Sequence, residues 1–374
     1  MTAQDLDNYY MARAIKLAKK GQYTTHPNPR VACVIVKGNQ IIGEGYHQRA
    51  GEPHAEINAL LHVQLNQYSA QGSVAYVTLE PCSHTGKTPP CANALIDAGV
   101  SRVVIAMQDP NPQVAGQGIT RLRDVGITVD VGLLNEQARA LNPGFIKRME
   151  QGLPWVRVKL AMSLDGKTAM ASGESQWITG KQARQDVQFL RARADAILTG
   201  IGTVLADDPS LNVRLNADEL DIEGGVNQPT RVILDSNLQT PLNSKLLSLV
   251  GQTIICTVSE DGSLKKGFEE KGIKVLGFQQ SVSGRLPLKK VLETLAKEEI
   301  NEVHVEAGAI LCGALIEESL VDEIIIYMAP TLMGADARGL LNFTGINKMS
   351  DKINLKITDM RAVGSDWRIT ARTL

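Results

Sequence analysis

The sequence predicts an α/β protein built from two α/β domains in series, each a central sheet with helices on both faces. Strand-like apolar runs alternate with helical stretches along the whole chain, the pattern that gives layered α/β folds. The chain has 374 residues, more than one ordinary domain holds. The turn-rich stretch from Leu141-Asn142-Pro143-Gly144-Phe145 to Gly152-Leu153-Pro154 reads as the junction, so domains are expected at 1–147 and 148–374.

From the N-terminus, Met1 to Lys20 sets Tyr10, Ile15 and Leu17 among Lys and Arg, an amphipathic helix without the apolar stretch of a signal peptide. Val31 to Val36 is an unbroken apolar run that suits a buried strand, and a Gly-Asn turn leads into Ile41 to Gly45 as a hairpin. Ala55 to Gln67 has a helical pattern, Val74 to Leu79 is a strand, and Ala92 to Ala98 is a helix closed by Gly99. Arg102 to Met107 and Ile127 to Val131 are the next strands. The second series opens with the strand from Trp155 to Leu160. Lys181 to Arg193 is a helix, and Asp195 to Thr199 is a strand running into Gly200-Ile201-Gly202-Thr203. Further strands are expected at 231–235, 253–258, 303–306 and 323–328, with a terminal hairpin turning at Gly364-Ser365.

Hydrophobic residues make up 43% and charged residues 21%, the balance of a soluble protein with a substantial core. Aromatics at 4% argue against a surface that stacks single-stranded nucleic acid, and a net charge of -1 gives no bulk pull on a polyanion. Five scattered cysteines argue against a disulfide framework and for a reducing compartment. No run approaches a membrane span. A cytoplasmic protein without membrane or nucleic-acid partners is expected.

The frame His54-Ala55-Glu56 … Pro81-Cys82-(eight residues)-Cys91 carries the chemistry. One imidazole and two thiolates are three ligands for zinc, and a fourth position left to water is the catalytic pattern rather than the closed structural one. Glu56, two residues from the His, is a carboxylate free to move protons, as hydrolytic removal of an amine from an aromatic ring requires. His54 and Glu56 make sense as a pair at a helix entry, and Cys91 opens the next helix, where the dipole favours a thiolate. The bland alternative is a lone His and two small buried cysteines; the whole frame, placed on helix start, strand end and helix start, outweighs it. His84 is a rival ligand, but a closed four-ligand site would forfeit the water. The insert Ser83-His84-Thr85-Gly86-Lys87-Thr88-Pro89-Pro90 would wrap a polar or phosphorylated substrate, or is a solvated loop.

Thr25-His26-Pro27-Asn28-Pro29-Arg30-Val31, His54-Ala55-Glu56 and the run Thr78-Leu79-Glu80-Pro81-Cys82 through Cys91 together resemble the RibD family of bifunctional riboflavin-biosynthesis deaminase/reductases, which uses an eight-residue gap between its cysteines. The resemblance implies a three-layer αβα cytidine-deaminase-like domain in which His54, Cys82 and Cys91 bind one zinc ion and Glu56 shuttles protons. This sequence departs from the family pattern at Ala32, where Gly is usual, Lys87, where Arg is common, and Ala92, where Cys often follows. No ligand is lost; a Lys at 87 lacks the bidentate guanidinium and so changes only the detail of substrate contacts.

From about residue 155 there is no zinc motif and no complete Gly-x-Gly-x-x-Gly fingerprint, since Leu205 stands in the third place. Two glycine turns, Gly200-Ile201-Gly202 and Glu306-Ala307-Gly308-Ala309, would hold a pyrophosphate at a helix start or are tight connections. Lys159 to Ala169, Gly173 to Thr179 and Gly200 to Pro209 resemble the reductase domain of the same family, which implies a dihydrofolate-reductase-like α/β fold and NADPH. By matching position, Ala161, Trp177, Thr203, Asp207 and Ser236 would contact the dinucleotide together with the turn Gly308-Ala309-Ile310-Leu311-Cys312-Gly313-Ala314. Ser175, Arg191, Leu211, Arg214 and Glu306 would contact the substrate. Arg191 and Arg214 suit a phosphate and Trp177 offers a flat apolar face; the alternatives are surface arginines and a core aromatic. Asp165 would pair with Lys159 or touch sugar hydroxyls.

The function implied is deamination of a diaminopyrimidinone bearing a phosphoribosylamino arm, then NADPH-dependent reduction of the ribosyl chain to ribityl. The expected partners are that phosphorylated pyrimidine and further copies of the chain in a homo-oligomer. One rival is a nucleic-acid-editing deaminase, which needs basic patches and exposed rings; the other is a structural zinc module joined to a binding domain, which has no use for Glu56.

Overall fold

The computed structural model describes residues 2–83, 90–112, 114–281 and 284–373. The chain divides into two compact units, Met1–Gly152 and Leu153–Leu374. No described helix is long and apolar enough to cross a membrane.

In the first unit, α1 (Ala3–Ala18) starts at a capping box in which Thr2 and Asp5 satisfy each other's backbone amides. Strands β1 (Ala32–Lys37) and β2 (Gln40–Tyr46) form the expected hairpin; Gly38 and Asn39 both take positive φ, 54° and 65°, as a two-residue turn of matching twist demands. Then come α2 (Ala55–Leu65), β3 (Val74–Val77), α3 (Cys91–Asp97), β4 (Arg102–Ile105), α4 (Gln117–Asp124), β5 (Thr128–Val131), α5 (Asn135–Arg139) and α6 (Pro143–Gln151). The sheet order is β2-β1-β3-β4-β5, antiparallel through β1 and parallel from β3 to β5. Side-chain alternation along β1 feeds two cores. Cys33 and Ile35 pack with Ala55, Ala59, Leu95 and Leu122 of α2, α3 and α4, while Val34 and Val36 pack with Met11, Ala14 and Ile146 of α1 and α6. This is the three-layer αβα arrangement. The turn-rich stretch near 141–154 contains α6, because Pro143 suits the first helical turn and Gly152, at φ 68°, ends it.

The second unit runs β6 (Trp155–Ser163), β7 (Lys167–Ala169), α7 (Lys181–Arg193), β8 (Ala196–Gly200), α8 (Ile201–Asp207), α9 (Ala217–Leu220), β9 (Thr230–Leu234), α10 (Lys245–Ser248), β10 (Thr253–Thr257), α11 (Gly262–Glu269) and β11 (Lys274–Gly277). It continues with α12 (Leu288–Lys297), β12 (Glu302–Val305), α13 (Ala309–Glu317), β13 (Glu323–Ala329), β14 (Arg338–Gly339), β15 (Leu355–Val363) and β16 (Asp366–Thr373). A nine-stranded sheet has the order β11-β10-β9-β8-β12-β6-β13-β16-β15, parallel up to β13 and antiparallel in the final hairpin. Val156, Val158, Val303 and Val305 face α12 and α13. On the other face Ile325 and Tyr327 meet Ala183, Val187 and Leu190 of α7. Arg157, with a side chain only 1% exposed, bonds Glu323 (2.5 Å) and Glu302 (3.1 Å), and Arg193 of α7 reaches Glu302 as well (3.2 Å). Charge this deep is tolerated because each guanidinium meets a carboxylate.

Candidate metal centre and dinucleotide cleft

Three separate chain segments deliver the zinc-type ligands. His54 is the N-cap of α2, with extended backbone (φ −72°, ψ 167°) and no capping bond from its ring. Its imidazole is therefore available elsewhere, and Nδ1 lies 3.7 Å from Cys82 Sγ and 3.3 Å from Cys91 Sγ. Cys82 follows the end of β3. Cys91 is the first residue of α3, and its amide N–H donates to Cys82 Sγ at 3.3 Å, which favours a thiolate there. The ligand atoms of all three lie within 4.8 Å of one another. A tetrahedral ion with Zn–S near 2.3 Å and Zn–N near 2.0 Å spaces its ligands by roughly 3.5 Å, so the donor set and its geometry fit zinc. Three protein ligands leave a fourth position open.

Glu56 stands one residue into α2 and is 3% exposed. Burial, followed by the negative charge of Cys82, pushes its carboxyl up to about 7. The hydrogen bond from the Cys91 thiol pulls the Cys82 thiol down, and His54 is pushed up by its bond to Cys82. Burial thus raises the affinity of this carboxyl for a proton beside the ligands.

Two residues that the sequence reading did not weigh as a pair join this site. The His47 ring packs edge-on against His54 with centroids 5.4 Å apart. Its Nε2 lies 3.1 Å from Asn28 Nδ2 and its Nδ1 3.2 Å from the Pro53 carbonyl. The amide donates and the carbonyl accepts, which fixes a neutral tautomer, and burial lowers the pKa of the ring. Asn28 belongs to the motif Thr25 to Val31, but nothing local links it to His47. The insert residues His84 and Lys87 lie outside the described residues.

In the second unit the C-terminal ends of the parallel strands open into a cleft of about 1590 Å³. Ala161, Ser175, Trp177, Arg191, Thr203, Asp207, Leu211, Arg214, Ser236 and Glu306 line it, with Gly308, Ala309, Ile310, Leu311 and Ala314. Open-sheet α/β proteins place ligands at this end of their strands. Gly308 is the N-cap of α13, and nothing lies within 4 Å of where a Cβ would stand, so phosphate oxygens have room at the helix start. Cys312 and Gly313 stand off the cleft. The Cys312 thiol is fully buried and bonds the Ala307 carbonyl (3.4 Å); a Cβ on Gly313 would sit 2.1 Å from the Asn342 carbonyl oxygen, so the small residue there admits backbone rather than a ligand.

Trp177 is no core aromatic. It is 71% exposed at the cleft wall, with the Arg184 guanidinium 4.6 Å from its ring centroid. Arg191 forms a bidentate pair with Glu306 (2.5 and 2.9 Å) and also donates to the Asn212 carbonyl. Burial disfavours the Glu306 carboxylate, yet the Arg191 charge outweighs it and holds the group well below the usual carboxylate range. Arg214 remains as a cation without such a clamp. Asp165 does not pair with Lys159: it accepts from Ser163 Oγ (2.5 Å) and from the amides of Met333 and Gly334, and so clamps the turn after β13. The Ser163 bond and these amides lower it to about 2.

Residues 4–107 match the cytidine and deoxycytidylate deaminase zinc-binding region, and residues 154–369 match the RibD C-terminal domain. The riboflavin biosynthesis protein RibD of Escherichia coli is 52% identical over 96% of this chain and 97% of its own. Among solved structures, Acinetobacter baumannii RibD superposes with a TM-score of 0.90 at 46% identity, covering 99% of both chains. A Thermotoga maritima protein described as a diaminohydroxyphosphoribosylaminopyrimidine deaminase/5-amino-6-(5-phosphoribosylamino)uracil reductase superposes at 0.86 with 32% identity over both full chains.

Proposed function

The chain belongs to the RibD family and is a bifunctional deaminase/reductase of riboflavin biosynthesis, and from that premise we propose which side chains carry each half of the work. The carrying observation is the convergence of His54, Cys82 and Cys91 beside the buried carboxyl of Glu56. His54 and the two thiolates would hold zinc, which when bound supplies Lewis acidity toward a water at its open position. Glu56 accepts the water's proton and returns it to the departing amine. Burial raises the affinity of Glu56 for a proton, which suits a group that must take one up and hand it on. His47, locked neutral, presents a ring edge at the site wall.

In the second unit NADPH when bound supplies the reducing equivalent. Gly308 to Leu311 and Ala314 would seat its pyrophosphate at the start of α13, with Ala161, Trp177, Thr203, Asp207 and Ser236 along the remainder. Ser175, Leu211, Arg214 and the Arg191–Glu306 pair would hold the sugar phosphate, Arg214 taking the anion and Glu306 a sugar hydroxyl. The substrate class is a phosphorylated pyrimidine. A homo-oligomer is supported by β15, a nine-residue edge strand whose Leu355, Ile357 and Met360 are exposed, since an edge of that kind is normally covered. A cytoplasmic site of action is supported by five free cysteines.

The test supplies the phosphoribosylamino diaminopyrimidinone to zinc-loaded protein with and without NADPH, following ammonia and NADPH together. Ammonia released in both arms and NADPH consumed in one is the expected result. Deamination of cytidine- or adenosine-containing oligonucleotides without turnover of the free pyrimidine would overturn the assignment.

A further inference from the structure

We propose that Glu80 is the positioning residue of the metal centre, a buried carboxylate that fixes Cys82 by gathering the loop between β4 and α4 onto the end of β3. Glu80 is 4% exposed, and no Lys or Arg pairs with it among the described residues. Its charge is met entirely by backbone. Oε2 accepts from the amides of Asp109 (3.1 Å) and Gly116 (3.0 Å), and Oε1 from those of Gly118 (2.9 Å) and Ile119 (3.2 Å). Gly118 and Ile119 lie in the first turn of α4, where amides have no partner inside the helix and the dipole favours an anion. Four N–H donors on one carboxylate make a charge that is satisfied as it stands.

This brace sits two residues from a ligand. The backbone of Glu80 extends the β3–β4 ladder through its bond to the Met107 carbonyl (3.0 Å). Next, the Pro81 carbonyl oxygen lies so close to Gly118 that a Cβ there would stand 2.1 Å from it. Cys82 follows at once, and its far side is tied to α3: its carbonyl accepts from the Ala92 amide (3.2 Å) and its sulfur from the Cys91 amide (3.3 Å). Cys82 is therefore held between two docked surfaces, one made by α3 and one by the Glu80 cradle. A ligand must sit within a few tenths of an ångström of its place, and groups that orient ligands are typically worth about 10–100-fold in metal affinity. Glu80→Gln replaces one acceptor oxygen by a donor NH₂ aimed at two amide N–H groups, so the cradle must open.

The inference rests on His54, Cys82 and Cys91 being a metal site, and the test separates the two. Full-length protein is titrated with Co²⁺ against a chelator while the thiolate-to-cobalt and ligand-field bands are recorded. Wild-type protein without such bands would sink the metal reading itself. With wild-type bands present, Glu80→Gln is expected to bind Co²⁺ about 10–100-fold more weakly with altered ligand-field bands, and Glu80→Asp, which keeps the charge but shortens the reach, to fall between. Should Glu80→Gln not fold, Glu80→Asp carries the same comparison. Met11→Ala, a cavity on the opposite face of the sheet, is the control for destabilisation alone and should leave affinity and bands unchanged. Wild-type affinity and bands in a folded Glu80 variant, or an equal loss in Met11→Ala, would overturn the proposal.

Discussion

Glu56 and Trp177 are single residues whose surroundings decide what replacing them does. Glu56 is buried and makes its contribution through a proton, so the isosteric Glu56→Gln should keep zinc and fold while ammonia release drops about 10²–10⁴-fold. NADPH oxidation on the deaminated substrate should be unchanged. Metal content and both activities measured on one preparation check this, and deamination that survives would refute the role. Trp177 is the reverse case. It is 71% exposed, so Trp177→Ala should shift unfolding free energy by no more than about 0.5 kcal/mol while weakening NADPH binding, as read by fluorescence titration. The candidate ligands His54, Cys82 and Cys91 and the carboxyl of Glu56 stand out in the sequence because thiols, imidazole and a carboxyl at fixed spacing have few other uses together. His47 was not, because its partners Asn28 and His54 come from other segments and only the fold makes the three neighbours.

At the scale of elements, pairing across the layers sets where ligands land. A Cβ on Gly45 of β2 would lie 2.3 Å from the Ala59 nitrogen, so α2, which carries His54 and Glu56 at its start, packs directly on that strand. The sequence showed both elements but gave no sign that Gly45 was reserved for the contact. The other face is held by charge. Asp7 of α1 takes a bidentate bond from Arg102 of β4 (2.8 and 2.9 Å) and one from Tyr76 of β3 (2.6 Å). The Arg102 bond holds Asp7 below its ordinary value. A carboxyl depressed in the folded state adds stability above its unfolded pKa of about 3.9, and that stability is lost as pH falls through the folded value. Asp7→Asn should therefore lower the melting temperature of the first unit at pH 7, and the gap from wild type should close in strong acid. Differential scanning calorimetry across that range checks it. Helix α4 went unseen in the sequence: Gln117 to Asp124 is short and polar, and its first turn is capped by Glu80, a residue 37 positions before it.

At the scale of the whole chain, each unit has its own sheet and its own buried clusters, and the two chemistries draw on separate residues. Stripping zinc should abolish ammonia release while NADPH oxidation on the deaminated substrate persists. It should also lower only the unfolding transition of the first unit, because a ligand at 1,000 times its Kd contributes about 4.1 kcal/mol to the state that binds it. Two activities and two calorimetric transitions, before and after chelation, are the measurement. While β11 and α12 went unread, the amino-acid sequence alone indicated two α/β units, many of their strands, helices such as α2 and α7, and the candidate metal set. These follow from local periodicity, turn residues and ligand spacing, all short-range properties of a chain. The tertiary structure alone decided that Arg191 is clamped by Glu306, that Gly313 and Cys312 serve packing, that Asp165 ties down a turn, and that Glu80 braces Cys82. The contacts of Arg191, Asp165 and Glu80 join residues far apart in sequence, and burial, which makes a hydrogen bond or a charge pair obligatory, exists only once the layers have closed.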